Sequence, residues 1–98
     1  MRQIAVDIAR AFSEGKHKSV KNTRTDGQAI YLHGHKIIER REGGSLWVTL
    51  AGWNTVTTRS RINDTLRFLN VPARVSCVRF DPVLNGASIY PDIWYQVK

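Results

Sequence analysis

The clearest alternation of apolar and polar side chains lies between residues 45 and 51. Leu46, Val48 and Leu50 recur at every second position, which is the period of a β-strand that buries one face. The β-branched and aromatic residues between them favour the same structure. Gly52 ends the alternation, so the pattern predicts a half-buried central strand that leads into a tight corner.

Beyond this corner the apolar spacing lengthens, and the new period indicates a helix. Ile62, Leu66 and Leu69 lie at i, i+4 and i+7, so a helix would place them on one apolar stripe. Asn70 is suited to follow the last helical turn, and Pro72 prevents the helix from continuing. The rest of the chain is expected to pack against this strand and helix.

The segments before the central strand predict a helix and an antiparallel meander. Residues 2–14 repeat apolar side chains at helical spacing, and Gly15 stops them. The Asp26-Gly27 pair is a strong hairpin signal. The predicted strands in this part of the chain cover residues 20–25, 28–33 and 35–41. Short turns between consecutive strands are typical of a meander.

Two further strands are predicted after the second helix. Residues 74–80 carry apolar side chains on both faces, which is typical of an inner strand, and Cys77 is therefore expected to be a small core residue. Pro82 would follow the end of this strand, and Asn85-Gly86 is a second hairpin signal. Residues 87–97 would finish the chain as one interrupted strand.

The predicted order is therefore helix, three or four strands, helix, two strands. This order defines an α+β fold in which two helices pack on an antiparallel meander sheet. A chain of 98 residues fits a single domain, so we expect one domain over residues 1–98.

Charge changes this picture by suggesting a class of partner. The chain has 15 basic and 8 acidic residues, a net charge of +7 and a pI near 10.2, which favours attraction to polyanions. The single cysteine excludes an internal disulfide. No apolar run approaches the ~20 residues of a membrane span, and no secretory signal is recognised. We expect a soluble intracellular protein with no membrane partner.

The start of the second helix is the candidate binding site. Thr57 or Thr58 could cap this helix, and Arg59 and Arg61 would then lie in its first turn, where the helix dipole disfavours cations. One interpretation is a phosphate site built from helix amides, threonine hydroxyls and two guanidinium groups. The other is an ordinary cap beside two solvated arginines. Arg67 lies on the same stripe as Arg59.

A second basic segment follows the first helix. Lys16, Lys18 and Lys21 have no acidic residue between them, so they are a second candidate contact zone for phosphates. Exposed aromatic residues such as Trp47, Trp53 or Tyr31 could stack on unpaired bases.

No catalytic or cofactor motif is recognised. The chain lacks a glycine-rich dinucleotide fingerprint, a Walker loop and a Cys-x-x-Cys pair, and no nucleophile has a base at a recognisable spacing. His33 and His35 could share a face, but a zinc site needs three or four converging ligands, and no third ligand has a suitable spacing. We therefore predict a protein that is not an enzyme and has no metal or cofactor.

Several short motifs resemble a group of small bacteriophage and prophage proteins. The motifs are Leu32-His33-Gly34, Gly52-Trp53, Thr55 with Thr57 and Thr58, and Arg61-Ile62-Asn63. The resemblance spans about a third of the chain. It implies a phage setting, and thus the cytoplasm of a bacterial host cell, and it supplies no site residues.

The order helix, three strands, helix is also similar to that of double-stranded-RNA-binding domains. Those domains carry basic residues at the start of their second helix, where Arg59 and Arg61 lie in this chain. The similarity concerns topology, and it implies contact with RNA phosphates.

Two functions follow from these observations. The first is a non-enzymatic module that binds DNA or RNA through Arg59, Arg61 and Arg67, with the threonines and lysines named above. The second is a phage inhibitor of a host defence or transcription protein that acts by protein–protein contact, because a basic surface also fits an acidic partner.

Overall fold

The computed structural model describes residues 3–98. Within this range there are two α-helices and nine short strands, and the strands form two antiparallel sheets. The elements are α1 (Gln3–Ser13), β1 (Lys18–Val20), β2 (Thr23–Thr25), β3 (Ala29–Leu32), β4 (His35–Arg40), a 3₁₀ turn (Glu42–Gly44), β5 (Leu46–Val48), α2 (Val56–Phe68), β6 (Val75–Val78), β7 (Asp81–Leu84), β8 (Ala87–Ser88) and β9 (Tyr95–Gln96).

The larger sheet is a meander that gains one strand from the end of the chain. Its order is β1-β2-β3-β4-β5-β9, and the smaller sheet has the order β6-β7-β8. Helix α1 packs against β1, β2, β3 and α2. The predicted α+β fold, with two helices and an antiparallel meander, is confirmed.

The apolar stripes of both helices meet the sheet in one core. In α1 the buried face includes Ile8 and Phe12, and in α2 it includes Ile62 and Leu66. The central strand β5 ends at Val48, earlier than predicted, so Leu50 lies two residues beyond it, but its side chain is buried as the alternation predicted and is 1% exposed. The core therefore forms where the two predicted periods, helical and extended, bury their apolar sides against each other.

The hairpin between β1 and β2 was not predicted, whereas the hairpin between β2 and β3 is as predicted. The chain turns at Lys21, whose φ is +55°, so residues 18–25 form the two short strands β1 and β2 rather than one strand over 20–25. The Asp26-Gly27 turn then joins β2 to β3, as its sequence indicates.

Helix α2 begins earlier than predicted. Its N-cap is Thr55, which has extended backbone and accepts a hydrogen bond from the backbone N–H of Thr58. Thr57 and Thr58 are already helical, so neither is the cap. At the other end, Asn70 adopts a φ of +58° beyond the last turn, as predicted for the residue that follows the helix.

The predicted strand over residues 74–80 is also corrected. The chain reverses at Arg79 and Phe80, and Pro82 lies within the next strand, β7. Cys77 is exposed rather than buried. The Asn85-Gly86 hairpin is confirmed between β7 and β8. The last predicted strand is divided, because β8 pairs with β7 whereas β9 pairs with β5 in the other sheet.

Among residues 3–98, no helix has both the length and the apolar character needed to cross a membrane.

Candidate nucleic-acid interface

The two arginines predicted to share an anion lie on opposite sides of α2. Residues two positions apart on an α-helix differ in direction by about 200°. Arg59 is partly exposed and faces a surface groove. Arg61 is 5% exposed and points into the protein, where its Nε donates a hydrogen bond to the Thr23 hydroxyl at 3.1 Å. The interpretation in which both guanidinium groups bind one phosphate therefore does not hold.

The predicted threonine ligands also face away from Arg59. The Thr58 side chain is 2% exposed, and its hydroxyl lies 2.9 Å from that of the cap residue Thr55. Thr57 lines a separate cavity of about 380 Å³ together with His33 and His35. Thr58 thus contacts the cap residue, and both threonines line this smaller cavity, so we do not assign either of them to the face of α2 that carries Arg59.

An open groove of about 840 Å³ separates the outer face of α2 from β6. Arg59 and Arg67 line its helical wall, and eight residues of helix place them about 12 Å apart along the axis. Arg74, which immediately precedes β6, lines the opposite wall. Asp64 is the one carboxylate among the described residues of the lining. We call this feature the arginine groove.

The three arginines of the groove, Arg59, Arg67 and Arg74, are not paired with carboxylates in the part of the chain that the structure describes. Arg59 is instead held by a neutral group, because its Nη1 donates to the side-chain oxygen of Asn54. A neutral acceptor fixes the guanidinium in place and leaves its positive charge available to a ligand.

The three lysines of the second predicted zone lie elsewhere. Lys16 follows α1 and is 3.8 Å from the Glu14 carboxylate. Lys18 begins β1 and Lys21 follows its end, so these two residues lie at opposite ends of an outer strand of the large sheet. All three are exposed. None of them lines the arginine groove, which α2 and the segment before and within β6 form.

Other arginines serve the fold, which reduces the charge available to a partner. Arg40 donates to the backbone oxygens of Gly27 at 2.7 Å and Phe12 at 3.1 Å. Arg41 pairs with the Glu39 carboxylate at 2.7 Å. The pKa of Glu39 is lowered, chiefly by its hydrogen bond from Arg41. Arg40 and Arg41 are therefore engaged by groups of the protein itself, and we do not count them among the cations that a partner would contact.

The prediction of site residues missed Arg74 and Phe80. The sequence contains no signal that places Arg74 beside α2. Phe80 falls in a segment that reads as a buried strand, and the structure exposes 93% of it in a turn. Neither Arg nor Phe is a usual turn residue, so the local sequence did not mark this reversal.

The two histidines that could share a face, His33 and His35, both line the smaller cavity beside α2. Among residues 3–98 there is no group of three or more His, Cys, Asp or Glu side chains that could hold a metal ion. The His35 ring instead lies beside Trp53, with ring centroids 6.3 Å apart.

The family described as Kyanoviridae Gp96 protein matches residues 1–96, which is nearly the whole chain. No curated protein and no solved structure matches.

Proposed function

The chain belongs to the Kyanoviridae Gp96 protein family, a family of phage proteins, and we propose that it is a non-enzymatic accessory protein that binds nucleic acid through the arginine groove. The observation that carries the proposal is the convergence of Arg59, Arg67 and Arg74 on one groove without ion pairs to the protein's own carboxylates, within residues 3–98. The expected place of action is the cytoplasm of the infected bacterium.

The chemistry of the groove suits a phosphate backbone. Arginine presents a planar, permanently charged fork that binds phosphate oxygens in pairs. Two arginines on one wall and one on the other would contact successive phosphates of a strand that lies along the groove. Contacts of this kind give affinity and register but do not by themselves read a base sequence.

The dependence of affinity on salt tests the proposal. Binding of a fluorescein-labelled oligonucleotide would be followed by fluorescence anisotropy from about 50 to 200 mM salt. Three neutralised phosphates predict a slope of log K against log salt near −2 for a single strand and near −2.7 for a duplex. The triple variant Arg59→Gln/Arg67→Gln/Arg74→Gln should abolish most of this slope.

A variant of equal charge provides the control. Lys16→Gln/Lys18→Gln/Lys21→Gln removes the same three positive charges from outside the groove. The proposal expects this variant to retain at least most of the affinity and slope of the unchanged protein. Equal losses in the two triple variants would show that net charge, rather than the groove, attracts the nucleic acid.

A protein partner would give a different result in a host lysate. Capture on the immobilised protein would be compared before and after nuclease treatment, with the arginine variant alongside. The proposal expects nuclease to remove the captured material. A single partner that survives nuclease and still binds the arginine variant would instead support inhibition of a host protein by direct contact.

A further inference from the structure

We infer that the ligand of the arginine groove is single-stranded nucleic acid, and that Phe80 at the end of the groove stacks on an unpaired base. This inference rests on the proposed function and narrows its substrate class. The groove supplies the contacts to phosphates, and an adjoining cluster of exposed apolar side chains supplies the contacts to bases. Proteins that bind single strands without strong sequence preference commonly combine these two features.

The exposed apolar side chains of the molecule are not scattered. In the part of the chain that the structure describes, six large hydrophobic residues are exposed. They lie in three short segments, which are residues 53–56, 78–80 and 90–93 in chain order. These residues, which we call the apolar tip, are Trp53, Val56, Val78, Phe80, Tyr90 and Ile93. Three of the six are aromatic. A cluster of this kind on a soluble domain usually marks a binding surface.

Hydrogen bonds tie the three segments of the apolar tip together. The Gly52 amide donates to the Pro91 oxygen at 2.8 Å, which joins the first segment to the third. The Asn54 side-chain amide donates to the Phe80 oxygen at 3.1 Å, which joins the first to the second. The side-chain oxygen of Asn54 also accepts a hydrogen bond from the Arg59 guanidinium. The same side chain therefore links the arginine groove to the turn that carries Phe80.

The groove and the tip also share a residue. Val56 belongs to the tip and lines the groove near Arg59. Cys77, another residue of the lining, is contacted at 3.8 Å by the Asn54 side-chain amide, which also donates to the Phe80 oxygen. A strand that follows the arginines past Val56 would thus reach the exposed ring of Phe80 without leaving the protein surface.

The backbone of the turn that contains Phe80 is strained, and the fold gains no packing from this strain. It joins β6 to β7 with two central residues, Arg79 and Phe80, whose φ angles are +49° and +71°. Turns of this shape usually contain asparagine and glycine, because other side chains are strained at positive φ. The Phe80 side chain is 93% exposed, so burial of its ring does almost nothing to offset the backbone strain. Strain without a packing benefit is commonly associated with binding sites.

A duplex fits these features less well than a single strand. The flat faces of paired bases are covered by their neighbours in the helix, so aromatic side chains cannot stack on them without opening the duplex. The arginines also line a groove rather than a projecting surface, and a strand enters a groove more easily than a broad double helix. A second copy of this chain is disfavoured because each copy carries a net charge of +7.

The first experiment compares single-stranded and duplex oligonucleotides of the same sequence. Strands of about 16 nucleotides cover the usual range of single-strand sites, and DNA and RNA versions would both be measured by anisotropy at one salt concentration. We expect at least a tenfold preference for the single strand. Binding that favours the duplex, or treats both forms alike, would overturn the inference while leaving the proposed function intact.

Substitutions of Phe80 separate base stacking from general apolar contact. Phe80→Leu keeps an apolar side chain but removes the ring, and we expect its affinity for the single strand to fall about five- to 100-fold. Phe80→Tyr keeps the ring and should retain the affinity. The salt slope should stay unchanged in both variants, because no phosphate contact is removed.

A glycine variant guards against loss of folding. Glycine adopts positive φ readily, so Phe80→Gly should preserve or raise the melting temperature and still lose the affinity that the ring provides. Equal affinity of Phe80→Leu, Phe80→Gly and the unchanged protein would show that the ring does not stack, and would overturn the inference. Loss of binding only in the arginine triple variant would then confine recognition to the groove.

Cys77 provides an internal reporter of where the strand lies. It is the one cysteine of the chain, it is exposed, and it lines the groove next to the tip. We expect a saturating single strand to slow its alkylation by neutral iodoacetamide several-fold, and the arginine triple variant to lose this protection. Unchanged alkylation of the nucleic-acid complex would place the strand elsewhere on the molecule and would contradict the inference.

Discussion

The arginines of this protein show how far the role of one residue type depends on its surroundings. Arg40 is bound to two backbone oxygens beneath α1, Arg61 is buried against Thr23, and Arg67 is exposed in the groove. The side chains are chemically identical. Their roles differ because backbone acceptors, burial and solvent each stabilise the guanidinium in a different way.

Gly27 is the residue at which the sequence is most constrained by close packing. Its φ is +91°, and a Cβ at this position would lie 2.5 Å from the Gly15 oxygen. Gly27→Ala should lower the free energy of unfolding by about 2–5 kcal/mol, the sum of left-handed strain and overpacking. Gly34→Ala is the matched control, because Gly34 has a φ of +82° but open space around it. It should cost only about 1–2 kcal/mol. Urea denaturation measures both, and equal losses would contradict the packing argument.

Asp26 should make stability depend on pH in the acid range. Its pKa is lowered from an ordinary value of 3.8, chiefly by the hydrogen bond from the Gln28 amide, with further bonds from Ala29 and Tyr31. A lowered pKa in the folded state contributes stability above the unfolded pKa, and this contribution disappears as pH falls through the folded value. Urea midpoints from neutral pH to below about pH 4 would measure the loss.

The variant Asp26→Asn isolates this effect from that of other acids. An amide keeps one oxygen acceptor but does not titrate in this range. We expect the variant to be less stable than the unchanged protein at neutral pH by about 1 kcal/mol, and the two to converge at low pH. A constant difference across the range would show that Asp26 does not carry the dependence.

At the scale of elements, a side chain of α2 forms the pair of backbone hydrogen bonds with β6 that a neighbouring strand would otherwise form. The Asn63 side chain donates to the Val75 oxygen at 2.7 Å and accepts from the Val75 amide at 2.8 Å. This pair of bonds satisfies the outer edge of β6, which has no strand partner on that side in the described part of the chain. The same arrangement sets the distance between the two walls of the arginine groove.

Loss of the two hydrogen bonds between Asn63 and Val75 should destabilise the protein measurably. Asn63→Ala leaves both backbone groups of Val75 unpaired, and Val75 is only 1% exposed, so we expect a loss of about 1–3 kcal/mol in the free energy of unfolding. Ser60→Ala, on the same wall of the groove, should change stability by less than about 0.5 kcal/mol. Thermal or urea denaturation compares the two variants. A similar loss of stability in both would show that the Asn63–Val75 hydrogen bonds do not make the expected contribution.

The elements themselves were predicted in part. The stripe of Ile62 and Leu66, the Asp26-Gly27 turn and the Asn85-Gly86 turn are all visible in the sequence, because they depend on spacing or on local backbone preference. The reversals at Lys21 and Phe80 were not predicted. They use residues with no preference for positive φ, and only the pairing of the surrounding strands holds them there.

At the scale of the whole molecule, the folded chain divides its cations into structural and available groups. The groove collects Arg59, Arg67 and Arg74, which are far apart in sequence or on different walls. The candidate site could therefore be predicted only in part: the stripe of Arg59 and Arg67 follows from helical spacing, whereas the addition of Arg74 and the removal of Arg61 require knowledge of what packs against α2.

A pair of substitutions tests this division. Arg61→Gln should lower the free energy of unfolding by about 1.5–3 kcal/mol, because a buried charged hydrogen bond is lost, and should leave the affinity of the folded protein for nucleic acid unchanged. Arg67→Gln should change stability by less than about 0.5 kcal/mol and reduce the salt slope by about 0.7–0.9. Denaturation and anisotropy on the same samples would reveal the reverse pattern if the assignment were incorrect.

By itself, the sequence determined the class of fold, the apolar stripes of the two helices, the glycine-containing hairpins and the excess of positive charge. Each of these depends on neighbours within a few residues, or on composition alone. Only the tertiary structure decided which arginines reach the surface and where Arg74 lies. It also decided that Phe80 is exposed in a turn bonded by Asn54, the residue that accepts a hydrogen bond from Arg59. Exposure and convergence depend on contacts between segments that are distant in the chain, and local patterns do not record these contacts.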